Sequence, residues 1–97
     1  MSKLNGKYAI VTGGSRGIGA AIVKRFLEDG AAGVAILEWD YEAASKLANE
    51  LDPSGDKVLA INCDVSKEEQ VAEAIQTAAD KFGTIDILVN NAGITRD

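Results

Sequence analysis

The chain contains no histidine and a single cysteine. Together these two shortages exclude several chemistries, because a zinc site needs three or four N, S or O ligands and a hydrolytic triad needs an imidazole. Neither a metal centre nor a triad is expected, and Cys63 alone cannot close an internal disulfide. Basic residues are also few: 10 Lys and Arg against 15 Asp and Glu give a net charge of −5. They are nowhere clustered, so the electrostatic footprint of a nucleic-acid or anionic-membrane binder is missing. No apolar run approaches the roughly 20 residues that span a bilayer. The opening Met1-Ser2-Lys3-Leu4-Asn5-Gly6 lacks the apolar core of a signal peptide. A soluble, cytoplasmic protein with no membrane or nucleic-acid partner is the expectation.

What remains is a chain rich in apolar residues, 46% of the total, with one proline to interrupt them. That composition belongs to a packed domain, not to a disordered segment. Short β-type runs alternate with longer stretches of helical period, the signature of an α/β fold. The runs are 8–12, 34–38, 58–63 and 86–90, continuous enough in apolar residues to form strands buried on both faces.

Between the first two runs, Ile22, Val23, Phe26 and Leu27 fall on one helical face, and Gly30 follows as a stop. A second helix is marked by Asp40 as N-cap, by Ala44, Leu47, Ala48 and Leu51 at helical spacing, and by Asp52-Pro53-Ser54-Gly55 as its end. A third has Ser66-Lys67-Glu68-Glu69 as a capping box, Val71, Ile75, Ala78 and Phe82 as its buried stripe, and Gly83 as its end. Because crossovers between parallel strands are right-handed, these elements predict a Rossmann-type doubly wound parallel sheet of four strands and three helices in order 3-2-1-4. Ligands of such sheets bind at the crevice beside the first strand, where the winding reverses.

At that crevice the sequence reads Thr12-Gly13-Gly14-Ser15-Arg16-Gly17-Ile18-Gly19 and runs directly into the first helix. A glycine-rich turn there brings backbone N–H groups and the positive end of the helix dipole up to a pyrophosphate, with no Cβ in the way. Gly13, Gly17 and Gly19 do not match the general G-x-G-x-x-G spacing. A Walker A loop fails too, since Ala20 and Ala21 stand at its Lys and Ser/Thr places. The plainer reading is a tight strand-to-helix turn, which the βαβ setting disfavours.

Thr12-Gly13-x-x-x-Gly17-x-Gly19 resembles the T-G-x-x-x-G-x-G motif of the classical short-chain dehydrogenases/reductases, and Asn90-Asn91-Ala92-Gly93 resembles the N-N-A-G motif that follows their fourth strand. The resemblance covers the whole chain. Residues 90–97 are especially similar to bacterial 3-oxoacyl-acyl-carrier-protein reductases, whereas residues 34–44 are closer to NAD-dependent members such as 15-hydroxyprostaglandin dehydrogenase.

The resemblance implies a dinucleotide cofactor, with Gly13, Ser15, Arg16, Gly17, Ile18 and Gly19 around the pyrophosphate and adenosine ribose. Asp64 and Val65 would flank the adenine, Cys63 would border it through its backbone, and Asn91, Ala92 and Gly93 would line the floor. Cys63 itself reads as a small buried hydrophobe. Trp39 either packs along the adenine edge or is a half-buried aromatic after a strand.

Glu38 ends the second strand nineteen residues after Gly19, where a carboxylate can accept hydrogen bonds from both ribose hydroxyls. A carboxylate about 4 Å from a phosphate is repelled by roughly 4 kcal/mol per charge pair at an effective dielectric near 20. Glu38 therefore favours NAD, while Arg16 before Gly17 argues for NADP; an exposed, flexible Arg16 recovers less, and NAD is preferred.

The catalytic residues of the resembled family are a Ser, an Asn and a Y-x-x-x-K pair. Here Tyr8 is followed four residues on by Thr12, and Tyr41 by Ser45. Residues 1–97 are thus expected to be the N-terminal part of one dinucleotide-binding domain, with no catalytic residue of their own and no turnover alone. The complete protein would be a homo-oligomeric oxidoreductase acting on a carbonyl or acyl substrate. The alternative is a non-catalytic dinucleotide-binding or structural module.

Overall fold

The apolar runs become strands and the periodic stretches become helices in the computed structural model, which describes residues 3–13, 15 and 17–91. In chain order the elements are β1 (Tyr8–Thr12), α1 (Gly17–Glu28), β2 (Gly33–Glu38), α2 (Tyr41–Leu51), β3 (Val58–Asn62), α3 (Glu68–Phe82) and β4 (Ile87–Val89). All three strand pairings are parallel and the sheet order is β3-β2-β1-β4, as the sequence predicts. Cys63 falls just past β3, not within it, and β4 is three residues long.

The two-residue period of a strand divides the core into two layers. Val11, Val34, Ile36 and Val58 face α1 and α2, meeting Val23, Ala44, Leu47 and Ala48. Ile10, Ala35 and Leu37 face the other way and meet Ala74 and Ala78 of α3, with Cys63 beside them. β1 and β2 are covered on both sides, which is why their sequences are apolar without alternation. On the α3 side the covering stops short of β4: Leu88, in register with Ile10, is 56% exposed.

Asp40 caps α2 as expected, its carboxylate accepting from the Ala43 N–H at 3.3 Å. After α1, Gly30 and Ala31 donate back to the carbonyls of Leu27 and Phe26, the double closure that a C-terminal glycine permits. The expected capping box at Ser66 does not form. α3 begins at Glu68, its N-cap is Lys67, and no side chain caps it. Ser66 instead donates from Oγ (2.7 Å) and from its N–H (3.0 Å) to Oδ1 of Asp64, an Asx-type turn that outcompetes the cap. Gln70 reaches back from the first turn of α3 to accept from the Asp64 N–H at 2.8 Å.

Two contacts fix the far end of the sheet. Asp52, after α2, accepts from Ser54 Oγ and from the N–H groups of Lys57 and Val58, which leads the chain into β3. The rings of Tyr8 and Phe82 stack at 4.8 Å between centroids, over Gly33. A Cβ at Gly33 would lie within 2.9 Å of both rings, so glycine is required there for space.

Candidate functional site

β1 ends in a clamp. The Gly13 N–H donates to Leu37 O at 2.8 Å, and its carbonyl accepts from Nδ2 of Asn91 at 3.1 Å, so the start of the glycine turn is tied to β2 on one side and to the end of β4 on the other. Thr12 Oγ1 lies 3.4 Å from Val89 O and 3.1 Å from Asn90 Oδ1, adding a second tie to β4. Asn91 is 1% exposed, and its Oδ1 has no partner among the described residues, which leaves one open acceptor beside the turn.

From this anchored start the turn leads to Gly17, the first residue of α1, at φ +60°. An L side chain rarely adopts that conformation. A Cβ at Gly17 would meet no described atom within 4 Å. The first turn of α1 carries no acidic residue that would neutralise the positive end of its dipole. These are the features of an anion site, and a pyrophosphate fits them.

Glu38 stands across from the turn at the end of β2. Ser15 Oγ donates to its Oε1 at 2.7 Å, a contact between residues 23 positions apart. The Glu38 carbonyl accepts from the Cys63 N–H at 3.1 Å, which brings the end of β3 alongside. Two of the residues expected at the site are thereby joined directly, and a third is held next to them.

At the end of β3, the hydroxyl and N–H of Ser66, with Lys67 nearby, hold the Asp64 carboxyl below the usual carboxylate range. Burial, with the charge of Asp64, pushes the Cys63 thiol up. It is a buried, protonated side chain, as the sequence suggests.

Trp39 is not the half-buried aromatic that was one of its two readings: it is 73% exposed, because the chain turns from β2 into α2 there and leaves the indole off the core. Ile18, Tyr41 and Val65 are exposed too, and all four follow the C-terminal ends of strands. They rim the same edge as the clamp with apolar surface suited to a flat ring.

A hollow of about 140 Å³ opens beside the clamp between α3 (Val71, Ile75) and the strand ends (Thr12, Leu37, Leu88, Asn90), with Val65 at its side. The sequence marks Val71 and Ile75 as core and Thr12 as the first residue of the glycine motif; that they line one hollow depends on how α3 lies against the strand ends, which no local pattern carries. Arg16, Ala92 and Gly93 lie outside the described residues. Among the described residues no cluster of His, Cys, Asp or Glu could hold a metal, and no helix is long and apolar enough to cross a membrane.

The arrangement has close counterparts. The chain is 50% identical over 97 residues to a 3-oxoacyl-[acyl-carrier-protein] reductase of Chlamydia muridarum, covering 99% of this chain and 39% of that protein. It is 43% identical over 96 residues to the 15-hydroxyprostaglandin dehydrogenase [NAD(+)] of Bos taurus, covering 97% and 36%. Among solved structures, a 3-ketoacyl-(acyl-carrier-protein) reductase from Brucella melitensis complexed with NADH superposes with a TM-score of 0.81 at 42% identity, over 89% of this chain and 34% of that one. A 7α-hydroxysteroid dehydrogenase complexed with NADH and 7-oxo glycochenodeoxycholic acid gives 0.83 at 36%, over 90% and 34%. The chain thus spans little more than a third of the length of these proteins. The profile of the short chain dehydrogenases matches residues 7–97, nearly the whole of it, and together with the sheet order and the glycine turn it makes this chain a member of the short-chain dehydrogenase family.

Proposed function

We propose that the complete protein is an NAD(P)-dependent oxidoreductase that moves a hydride between the nicotinamide and a carbonyl or secondary alcohol, and that residues 1–97 are its dinucleotide-binding half, with NAD preferred. The observation that carries this reading is the placement of Glu38, linked by Ser15 to the glycine turn that leads into α1. The backbone of Gly13, Gly17, Ile18 and Gly19 would hold the pyrophosphate. Glu38 would accept from the adenosine ribose, and Asp64 from the adenine amino group. Cys63, Val65 and Trp39 would border the ring, and Asn91 would keep the floor in place through Gly13. Arg16, Ala92 and Gly93 complete the proposed set.

Bound there, the nicotinamide supplies the hydride donor or acceptor. The residues of this chain bind and orient it, and proton transfer to a substrate oxygen falls to a Tyr and Lys outside residues 1–97. The chain alone should therefore give no turnover. The 50% identity to an acyl-carrier-protein reductase supports a 3-oxoacyl substrate; a cytoplasmic homo-oligomer is part of the same proposal.

Replacing Glu38 with Ser in the complete protein removes the charge that repels a 2′-phosphate. At about 4 Å the repulsion is roughly 4 kcal/mol, and solvent screening at this half-exposed position reduces it. The NADP-to-NAD ratio of kcat/KM should rise at least about tenfold. An unmutated protein that already prefers NADPH refutes the assignment to Glu38.

A further inference from the structure

Ser15 spends its only side-chain donor inside the protein. Between a hydroxyl and a carboxylate the hydroxyl must be the donor, and Ser15 Oγ gives its proton to Oε1 of Glu38 at 2.7 Å. Two consequences follow. First, Glu38 is half-buried at the last position of β2 and carries a side chain with three rotatable bonds; one oxygen is pinned from the glycine turn, so the carboxylate holds a single orientation. A carboxylate has about four lone-pair sites. Ser15 occupies one, and the rest stay available to a vicinal diol, so the contact does not compete with a ribose. Second, a 2′-phosphate brought to this position meets a carboxylate and finds no hydroxyl proton on Ser15, which already points at Glu38.

We infer that Ser15 is a positioning residue for cofactor choice: through its bond to Glu38 it presents the carboxylate to an unphosphorylated adenosine ribose, and it contributes to NAD selectivity without itself serving a phosphate. This rests on the dinucleotide reading above and adds to it the residue through which Glu38 acts.

Calorimetric titration of the complete protein with NAD⁺ and with NADP⁺ separates the possibilities. Ser15→Ala should weaken NAD⁺ about tenfold, the scale of one hydrogen bond to a charged group, and leave NADP⁺ within about twofold. Ser15→Thr, which keeps the hydroxyl, should restore NAD⁺ affinity. In a Glu38→Ala background, Ser15→Ala should change NAD⁺ affinity less than about twofold, because the link is already gone. Equal weakening of both dinucleotides by Ser15→Ala would mean that the hydroxyl serves the turn or the phosphates they share, and it overturns the inference. So does unchanged NAD⁺ affinity in Ser15→Ala when the parent binds NAD⁺ normally; the dinucleotide reading then survives. A parent that binds neither dinucleotide overturns both.

Discussion

Replacing Gly17 with Ala separates the backbone role of the glycine turn from its binding role. Gly17 sits at φ +60°, and a Cβ there would meet no described atom within 4 Å. The folded state therefore loses only the cost of a left-handed conformation for an L residue, roughly 1–2 kcal/mol. Gly83, the C-cap of α3, is a matched control at φ +88°, with the same open surroundings and no place in the site. Gly17→Ala and Gly83→Ala should lose similar stability in urea titrations. Their dinucleotide affinities should differ. A methyl group at Gly17, the first residue of α1, would hold a pyrophosphate off one or two backbone N–H groups. At the strength of hydrogen bonds to charged groups that is about a 10- to 100-fold loss of NAD⁺ affinity by calorimetry, whereas Gly83→Ala should bind like the parent. Gly17→Ala binding as well as Gly83→Ala would refute the assignment of the turn to the pyrophosphate.

Gly33→Ala should destabilise by about 1–2 kcal/mol. The new Cβ lies 2.7 and 2.9 Å from the Phe82 ring and 2.8 Å from Tyr8, so the stacked rings must give way, and overpacking outweighs the modest gain of Gly→Ala in a strand. A urea midpoint at or above the parent's contradicts this. Hydrogen bonds from Ser54, Lys57 and Val58 hold the Asp52 carboxyl below its ordinary 3.8. A depressed folded-state value gives stability that is present above 3.8 and fades as pH falls through that lower value. Asp52→Asn should therefore be less stable than the parent near neutral pH, with the gap closing below about 3.8; a gap independent of pH would show that the charge is not involved.

The order of elements and the strand arrangement were legible because β1 and β2 are apolar throughout and the helices carry clear stripes: both patterns are local, and crossover handedness supplied the rest. The glycine turn was legible for the same reason. Ser66 misled because its spacing to Glu69 fits a cap, while Asp64, two residues upstream, offers a nearer acceptor. The Ser15–Glu38 bond could not be read from spacing, since it joins the glycine turn to the last residue of β2, and these meet only when β1 and β2 pair. Trp39 is as apolar as any core residue, and nothing local distinguishes an indole left outside the sheet.

Of these four strands, β1 is interior to the sheet and is made first. It pairs with β2 on one edge and with β4 on the other, and the second edge closes 78 positions away, where the Asp86 N–H donates to the Tyr8 carbonyl and the Tyr8 N–H donates to Asp86 Oδ2. With every strand parallel, no hairpin offers a local route to this sheet, and each pairing must wait for a complete crossover. On the ribosome, at roughly 5–20 residues per second, β1 emerges about 4 to 16 seconds before its last neighbour. Through that interval Ile10 and Val11 belong to a nascent chain with at least one strand edge unpaired, so a chaperone that shields short apolar segments near the exit tunnel should raise the yield of folded protein most when it acts before residue 89 appears.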